Sequence, residues 1–320
     1  METKPVVAVI GCGYMGLEYS KVLKAQGITP IVIGRGAERA AAFEEKTGIA
    51  VLTGGVDEAL KKLDVVPDYT IVAVGTDYLS DVSIKMIEYG IKNVLVEKPA
   101  GLSREEMVAL DSSAIKHGAS VFVAYNRRFY ASVERAMEII KGDGGVSSVF
   151  FEFTEWSNDI EKIDYPRVCK ENFLLANSTH VIDLAFFLAG HPREISSYVR
   201  GGLPWHPNGS IYSGAGCTDR DVLFSYCANW EAPGRWSVEV MTRKHRLYFK
   251  PMEKLAIQEL NSVKVSEVEI DDKLDVEFKP GLYNETFAFL NNQDDPRMIS
   301  LSEQLDNLKS YEKIAGISNK

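Results

Sequence analysis

The sequence predicts an α/β protein of two domains, and three observations support this. Up to residue 125, short apolar runs alternate with helix-like segments, the pattern of a doubly wound parallel sheet. After Gly142-Asp143-Gly144-Gly145, strands of alternating polarity predict an α+β domain built on an open, mainly antiparallel sheet. At 320 residues with 45% hydrophobic content, the chain is long enough for two cores. We therefore expect domains at 1–125 and 126–320.

The elements follow from these patterns in chain order. In the first domain, strands are predicted at Val6–Ile10, Ile31–Ile33, Tyr69–Val74, Asn93–Val96 and Ser120–Ala124, with helices between them. Glycines stand where helix C-caps or turns belong, namely Gly27, Gly48, Gly90 and Gly118. In the second domain, strands are predicted at Ser148–Thr154, Ile195–Arg200, Val222–Asn229 and Arg235–Met241. Its helices are predicted at Tyr130–Lys141, Ser178–Leu188, Gly281–Asn291 and Ser302–Ile317.

Composition excludes several classes of partner. A net charge of -9 argues against a nucleic-acid-binding surface, and a small anionic ligand would need its own local positive groups. The cysteines lack metal-ligand spacing; they are Cys12, Cys169, Cys217 and Cys227. We find neither a signal peptide nor an apolar run of about 18 residues. The sequence thus predicts a reduced, cytoplasmic setting without a metal or a membrane partner.

A glycine-rich turn follows the first predicted strand and opens a helix. Its residues are Gly11, Cys12, Gly13, Tyr14, Met15 and Gly16. The first glycine permits a tight turn, the second lets the backbone approach a pyrophosphate, and the third lets the helix press against the strand. The turn therefore predicts a dinucleotide site, the alternative being a turn that binds nothing.

The end of the second strand indicates which dinucleotide is favoured. A site for NAD normally has an acidic residue about 20 residues after the glycines, but here Gly34-Arg35-Gly36 follows the strand. Arg35 can grip a 2′-phosphate, and Arg39 lies one turn along the next helix. NADP(H) is favoured over NAD(H), with Gly34, Arg35 and Arg39 as cofactor-binding residues. The alternative is that both arginines are solvated surface charges.

Two further residues suit proton chemistry. Lys98, in Glu97-Lys98-Pro99, ends a buried strand at the edge where ligands bind, which makes it a candidate acid, base or substrate clamp. His180 lies where polar residues precede an apolar helix, and its titration range suits proton exchange with a hydroxyl or carbonyl. Asp183 can share its helical face or make a structural salt bridge.

Taken together, four motifs resemble the Gfo/Idh/MocA oxidoreductase family over nearly the whole chain. They are the glycine turn, Glu97-Lys98-Pro99, Tyr125-Asn126-Arg127-Arg128-Phe129 and His180-Val181-Ile182-Asp183. The resemblance implies an NAD(P)-binding Rossmann domain followed by a domain for substrate binding and oligomerisation. It implies an NAD(P)-dependent dehydrogenase acting on a CH–OH group of a sugar, cyclic polyol or nucleotide-linked sugar. Lys98 and His180 are then the catalytic pair.

Other site residues are expected around this pair. Glu97 is grouped with the cofactor site, as are Gly75 and Thr76, although their turn lacks the Thr-Pro and histidine often present in the family. Tyr125, Asn126 and Arg127 can contact nicotinamide or substrate. Aromatic and polar residues that suit a sugar cleft are Trp156, Arg167, Asn172, Trp205, His206 and Tyr283.

The chain departs from the family at Ala176, where many members carry aspartate four residues before the histidine. A proton relay through that carboxylate is therefore absent. Asn177 or Thr179 can position a substrate hydroxyl instead, or His180 can exchange the proton alone. The departure also motivates an alternative function, a cofactor-binding sensor or regulatory protein without turnover. An open sheet face in the second domain predicts a homodimer or homotetramer.

Overall fold

Two units, each with its own sheet, make up residues 4–317, which the computed structural model describes. Unit 1 comprises the chain up to Asn126 together with Glu277–Leu305, and unit 2 comprises Arg127–Val276 with the chain from Asp306 onward. The first division falls one residue from the expected boundary at 125. The expected second domain differs, because residues 277–305 return to unit 1.

The strands and helices are as follows. The strands are β1 Val7–Ile10, β2 Ile31–Ile33, β3 Val51–Leu52, β4 Tyr69–Val72, β5 Asn93–Glu97, β6 Ser120–Ala124, β7 Ser148–Glu152, β8 Pro192–Arg200, β9 Ile211–Thr218, β10 Leu223–Asn229, β11 Ser237–Met241, β12 His245–Phe249, β13 Ala256–Glu259, β14 Val265–Glu267 and β15 Ile299–Ser300. The helices are α1 Tyr14–Ala25, α2 Ala37–Thr47, α3 Val56–Leu60, α4 Leu79–Tyr89, α5 Arg104–His117, α6 Ala131–Gly142, α7 Ser157–Lys162, α8 Arg167–Glu171, α9 Thr179–Ala189, α10 Lys273–Glu277, α11 Leu282–Asn291 and α12 Leu301–Ile314. Between residues 4 and 317, no helix is both long and apolar enough to cross a bilayer.

The sheet of unit 1 is doubly wound, as predicted. Its order is β15-β6-β5-β4-β1-β2-β3, and every neighbouring pair is parallel except β15 with β6. The last residue of β1, Ile10, lies opposite Ile33 of β2 and Val72 of β4. The strand order reverses at this point, and open α/β sheets bind ligands at such a reversal.

Most predicted boundaries in unit 1 are confirmed, and the differences have simple causes. Gly48, Gly90 and Gly118 are left-handed C-caps, and Gly27 has positive φ directly after α1. The strand predicted at Tyr69–Val74 ends two residues earlier. The sequence does not predict β3 and β15, because a strand of two residues is too short to show a period.

Residues 277–305 belong to unit 1 because they complete its core. Ile299 of β15 pairs with Val123 of β6. Phe289 of α11 is fully buried, with its ring edge-on to those of Tyr69, at 5.4 Å, and Phe122, at 6.2 Å. The hydrophobic area of these contacts favours the return of the segment.

The sheet of unit 2 is mainly antiparallel, as predicted, in the order β14-β13-β12-β11-β7-β10-β9-β8. The pair β7–β10 is parallel. Helix α9 packs on β7 and β11. Almost all of its residues are buried, which explains why its sequence is apolar on nearly every side. Phe151 of β7 forms the centre of this core, 5.3 Å from the Tyr226 ring and 5.5 Å from the Phe186 ring.

A buried ion pair fixes α9 to the start of unit 2. Arg128 Nε and Nη2 donate to the two carboxylate oxygens of Asp183 at 2.9 and 2.7 Å, and both side chains are buried. The guanidinium also lies 4.8 Å from the Phe187 ring centroid. Of the two roles considered for Asp183, the structure shows the salt bridge.

We expect Asp183→Asn to lower the free energy of unfolding by about 3–5 kcal/mol, because it leaves the Arg128 charge buried without its counter-charge. Urea unfolding measures this. The control is Glu138→Gln, which removes an exposed ion pair with Arg135 and should change the free energy by about 1 kcal/mol or less. A similarly small effect of Asp183→Asn would contradict a structural role for the pair.

Candidate functional site

Two glycines of the turn after β1 are required by close packing. Gly11 has φ +116°, and a Cβ there would lie 2.2 Å from the Ala73 carbonyl oxygen. A Cβ on Gly16 would lie 1.9 Å from the Gly11 carbonyl oxygen. Both distances are impossible for a side-chain atom, so the crossing of β1, β4 and α1 depends on glycine at both positions.

The middle glycine, Gly13, is not required by packing within the described residues. A Cβ there would meet no atom within 4 Å, and its φ of -84° is open to any residue. It directly precedes α1, whose first turn has no acidic residue and no side-chain cap. The first-turn amides of a helix lack intrahelical partners and attract anions. The turn Gly11–Gly16 therefore fits the pyrophosphate of a dinucleotide.

The ends of β2 and β4 flank this turn. Gly34 packs so closely on Cys12 that a Cβ would lie 2.7 Å from the Cys12 sulfur. Arg35 and Arg39 are exposed, and the Arg35 guanidinium lies 5.4 Å from the ring centroid of Tyr78. Tyr78 ends the short 3₁₀ turn that begins at Thr76, directly after Gly75. The cofactor-binding candidates Gly34, Arg35, Gly75 and Thr76 thus lie at one edge of the sheet. Among residues 4–317, no contact of the Arg39 side chain places it with them.

Glu97, at the end of β5, is held by the helix that the glycine turn begins. The hydroxyl of Tyr19 in α1 donates to Glu97 Oε1 at 2.9 Å and lies 3.5 Å from Glu285 Oε2 in α11. Burial, together with the two carboxylates, raises the pKa of Tyr19 well above its ordinary value, so the hydroxyl keeps its proton. Lys98 follows Glu97 as a half-buried residue at the same edge of the sheet.

Two predicted substrate residues of unit 1 have internal partners instead. Tyr125 is buried in the core, and its hydroxyl accepts a hydrogen bond from Gln304 Nε2 at 3.1 Å. Asn126 is also buried, and its Nδ2 donates to the Pro280 carbonyl at 2.9 Å. These two contacts join the returning segment 277–305 to the end of β6, and the expected substrate role of both residues stays a prediction.

In unit 2, a buried carboxylate lies just beyond β7. Glu155 is 2% exposed and accepts hydrogen bonds from Ser178 Oγ at 2.7 Å, Asn177 Nδ2 at 3.0 Å and Arg235 Nη1 at 3.3 Å. Burial raises the pKa of Glu155 to about 7, outweighing Ser178, Arg235, Asn177 and Trp236, which lower it. Of the groups around this carboxylate, Arg235 carries the opposing charge.

The segment before His180 is a π-helical turn over Leu174–Ser178 that continues into α9. Such wide turns are frequent at functional sites. Here the turn brings both Asn177 and Ser178 to Glu155. His180 follows two residues later, buried, with its ring centroid 6.1 Å from that of Trp236. Although Ala176 supplies no carboxylate, the carboxylate of Glu155 reaches this segment.

Thr179 does not have the role expected of it. Its side chain is fully buried, and its hydroxyl donates to the Leu175 carbonyl at 2.9 Å. A hydroxyl with this partner and no exposure cannot position a substrate, so the expectation is corrected. The side-chain amide of Asn177, the other candidate, is bonded to Glu155.

Arginine and tryptophan side chains form a cluster around Trp236, which we call the Trp236 cluster. The Arg235 guanidinium lies 4.5 Å from the ring centroids of both Trp156 and Trp236. Arg127 lies 4.8 Å from the Trp236 centroid. Trp156 Nε1 donates to the Gly234 carbonyl at 3.2 Å, which fixes the indole beside Arg235.

The remaining sugar-cleft candidates contact other residues. Trp205 and His206 are buried around Trp230, in an aromatic group whose ring centroids are 5.8 and 4.8 Å from that of Trp230. Arg167 is paired with Glu171. Asn172 bonds its own helix at the Val168 carbonyl, and Tyr283 packs on Phe278. Among residues 4–317, no group of three or more potential metal ligands is present.

Glu155, Arg235 and Trp236 are not among the site residues predicted from the sequence. The sequence does contain a pattern that indicates Glu155. Every second residue from Val149 through Phe151 and Phe153 is buried, and Glu155 is the next position on that face. A charged residue at a position that the pattern buries is costly without a function or a partner. No local pattern indicates that Arg235 and Trp236 lie beside it, since strand pairing determines that proximity.

Comparison with known proteins finds a family model that matches the first part of the chain. Residues 6–125 match the model of an oxidoreductase family with an NAD-binding Rossmann fold. These residues are therefore similar to the Rossmann domain of the Gfo/Idh/MocA oxidoreductases. The Gfo/Idh/MocA match covers β1 to β6 and ends at Tyr125, so it contains the glycine turn and Lys98 but not His180.

The chain is similar to two curated relatives over part of its length. It is 26% identical over 194 residues to the 2,7-anhydro-N-acetylneuraminate hydratase of Mediterraneibacter gnavus, covering 59% of this chain and 50% of that one. It is 29% identical over 124 residues to the myo-inositol dehydrogenase Hyg17 of Streptomyces leeuwenhoekii, covering 38% and 37%. The chain thus spans half or less of the length of these curated relatives.

A solved structure shares the Gfo/Idh/MocA fold over almost the whole chain. Levoglucosan dehydrogenase in complex with NADH and L-sorbose superposes with a TM-score of 0.79 at 18% identity, covering 98% of this chain and 96% of that one. The likeness shows that both sheets are those of this fold.

We expect Gly13→Ala to leave the melting temperature nearly unchanged and to weaken binding of NADH and NADPH by about tenfold, because the added methyl meets only the ligand. Fluorescence of the reduced nicotinamide measures the affinity. The matched control is Gly36→Ala at the start of α2, where a Cβ is equally unobstructed. Equal binding by both variants would contradict the assignment of Gly13.

We expect Glu155→Gln to change how stability depends on pH. The folded protein keeps the Glu155 proton up to about pH 7, whereas the unfolded chain releases it near the ordinary value of 4.5. The group therefore destabilises the folded state increasingly as pH rises through this window. Between pH 5 and pH 8 the wild type should lose about 2–3 kcal/mol relative to Glu155→Gln.

Chemical unfolding at several pH values measures this difference. The control is Glu161→Gln, which changes an exposed glutamate of α7 and should leave the pH dependence of the wild type intact. Parallel curves for wild type and Glu155→Gln would show that Glu155 does not titrate in this window.

Proposed function

We propose that the protein is an NADP(H)-dependent oxidoreductase that transfers hydride between nicotinamide and a carbinol or carbonyl carbon of a sugar, cyclic polyol or nucleotide-linked sugar. The observation that carries the proposal is the turn Gly11–Gly16. Packing requires glycine at positions 11 and 16, whereas the space beside Gly13 is empty and can take a ligand. The Gfo/Idh/MocA match supports an oxidoreductase. The names of the similar proteins, a myo-inositol dehydrogenase and a levoglucosan dehydrogenase among them, support a sugar-type substrate.

In this proposal the cofactor is held by residues at the carboxyl edge of the unit 1 sheet. They are Gly11, Cys12, Gly13, Tyr14, Met15, Gly16, Gly34, Arg35, Arg39, Gly75, Thr76, Glu97 and Lys98. When bound, the nicotinamide donates or accepts the hydride at its carbon 4. The residues directly after β2, Gly34-Arg35-Gly36, include no acid to repel a 2′-phosphate, while the exposed Arg35 can grip one in a planar fork. This favours NADP(H) over NAD(H).

Proton transfer is assigned to Lys98 and His180. The Lys98 ammonium stabilises charge on the reacting oxygen, and the His180 imidazole exchanges the proton of that oxygen. Arg127 is retained as a substrate-binding residue. Glu155 is joined to the segment before His180 by Asn177 and Ser178, and its pKa of about 7 lets it take up or release a proton near neutrality.

We expect purified protein to bind NADPH about tenfold or more tightly than NADH, and Arg35→Ala to remove most of that preference, since a lost phosphate contact affects NADPH alone. Tryptophan quenching and energy transfer to reduced nicotinamide measure both affinities. Lys116→Ala, on the exposed face of α5, is the control for loss of a positive charge. Tighter binding of NADH would contradict the NADP(H) preference, and binding of neither would contradict the oxidoreductase.

Ala176 favours a second candidate, a cofactor-binding sensor or regulatory protein that has lost turnover. It predicts tight cofactor binding without hydride transfer to or from any sugar in a broad panel. The enzyme instead predicts turnover that Lys98→Ala and His180→Ala abolish while the variants still unfold cooperatively.

We further propose that the enzyme is cytoplasmic, from its cysteine usage, and that it self-associates through the face of the unit 2 sheet that lies opposite α9. Large apolar residues are exposed on that sheet, including Tyr198, Ile211 and Leu223. Surface of this kind commonly marks a protein interface. Light scattering measures the mass of the assembly, and a monomer at micromolar concentration would exclude the homodimer or homotetramer.

A further inference from the structure

The carboxylate of Glu155 joins two segments of unit 2 that are far apart in the sequence. Its Oε1 accepts hydrogen bonds from Asn177 Nδ2 at 3.0 Å and from Ser178 Oγ at 2.7 Å, the last two residues of the π-helical turn. Its Oε2 accepts one from Nη1 of Arg235, two residues before β11, at 3.3 Å. Each carboxylate oxygen therefore serves a different segment, and Glu155, just beyond β7, bridges them.

His180 belongs to one of these segments and packs on the other. It follows Ser178 by two residues, and its ring centroid is 6.1 Å from that of Trp236, which directly follows Arg235. Both His180 and Trp236 are buried. Glu155 thus holds the segment that carries His180 together with the segment that carries the ring beside it. The length of this bridge determines how the imidazole lies against the indole.

The turn before His180 is attached to the rest of unit 2 through its last two side chains. Turns of the π type are rare, and contacts with other elements help to hold them. The side chain of Ala176 is a methyl group, which can neither donate nor accept a hydrogen bond. The side chains of Asn177 and Ser178 both donate to Glu155. Because Ser178 directly precedes α9, these bonds fix the start of the helix on which His180 lies.

We propose that Glu155 is a positioning residue for His180, holding the imidazole in the orientation in which it exchanges a proton with the substrate. The inference rests on the proposed function for the role of His180. The bridge requires a carboxylate, since both of its oxygens accept hydrogen bonds. Glutamine keeps the shape of Glu155 but has a single acceptor oxygen, so its amide nitrogen would face a donor on one side of the bridge. We expect that side to open in Glu155→Gln.

Nuclear magnetic resonance on the full chain, with labelled histidine and tryptophan, tests this directly. The chain has five histidines, and the signal lost in His180→Gln identifies the His180 ring. Spectra are recorded at pH 8, above the pKa of about 7 of Glu155, so that the wild-type carboxylate is ionised. We expect a nuclear Overhauser effect between the rings of His180 and Trp236 in the wild type. Glu155→Gln should weaken this effect and move the His180 signal more than that of any other histidine.

A second variant separates position from charge. Ser178→Ala removes one donor of the bridge and leaves the Glu155 charge in place, so a weaker ring contact in this variant comes from a change of position. The effects of Glu155→Gln and Ser178→Ala should be less than additive in the double variant, because both break the same contact. Ser178→Ala also serves if Glu155→Gln does not fold. The control is Glu161→Gln in α7, which should leave the ring contact and the His180 signal as in the wild type.

Turnover of a sugar from the panel supplies an independent measurement. A displacement of about 1 Å at a reacting group can cost about 100-fold in rate, so Glu155→Gln should lower kcat by about 10- to 100-fold. The KM for the sugar and the affinity for NADPH should change by about twofold or less, because in this proposal the substrate meets His180 and not the buried Glu155.

Two results would overturn the inference: a ring contact and a His180 signal that stay unchanged in both Glu155→Gln and Ser178→Ala, and a Glu155→Gln enzyme whose kcat equals that of the wild type. Failure of the proposed function has a different signature. It appears as absence of NADPH and NADH binding, or of turnover, in the wild type. The spectra need neither cofactor nor substrate, so they show whether Glu155 holds His180 in either case.

Discussion

The approach of α1 to the end of β1 is the constraint on which unit 1 depends. Neither Gly11 nor Gly16 can carry a side chain, since backbone atoms already occupy that space. With β1 paired on both sides, this contact fixes where α1 lies across the sheet. The same helix carries Tyr19 to the carboxylates of Glu97 and Glu285. The end of β5, next to Lys98, is thus oriented by a helix whose position depends on Gly11 and Gly16, some 80 residues earlier in the chain.

Local patterns predicted those parts of the molecule that local forces determine. The central strands could be predicted from the periodicity of their hydrophobic residues. The helix caps and the turn Gly11–Gly16 could be predicted because their backbone conformation or close packing requires glycine. The return of residues 277–305 to unit 1 was not, since the pairing of Ile299 with Val123 is a long-range event. The candidate site in unit 2 divides in the same way. His180 followed from its motif, whereas its surroundings depend on which strands become neighbours.

Unit 2 holds buried acids in two ways. Asp183 accepts hydrogen bonds from Nε and Nη2 of the buried Arg128, an ion pair that joins α9 to the start of unit 2. Glu155 receives one long contact from a half-exposed Arg235 and otherwise neutral donors, so burial dominates and its pKa rises. The two carboxylates are equally buried and differ in the charge and geometry of their partners.

The discontinuity of unit 1 has a consequence for the order in which the protein is made. When the ribosome has released residues 4–126, β6 is an edge strand without β15, and the side of the core that Phe289 fills is open. The complete sequence of unit 2's sheet emerges before the segment that closes unit 1. Residues 4–126 therefore remain partly exposed while about 150 further residues are synthesised, which takes on the order of ten seconds or more. During that interval an open strand edge is a site for chaperones or for misassembly.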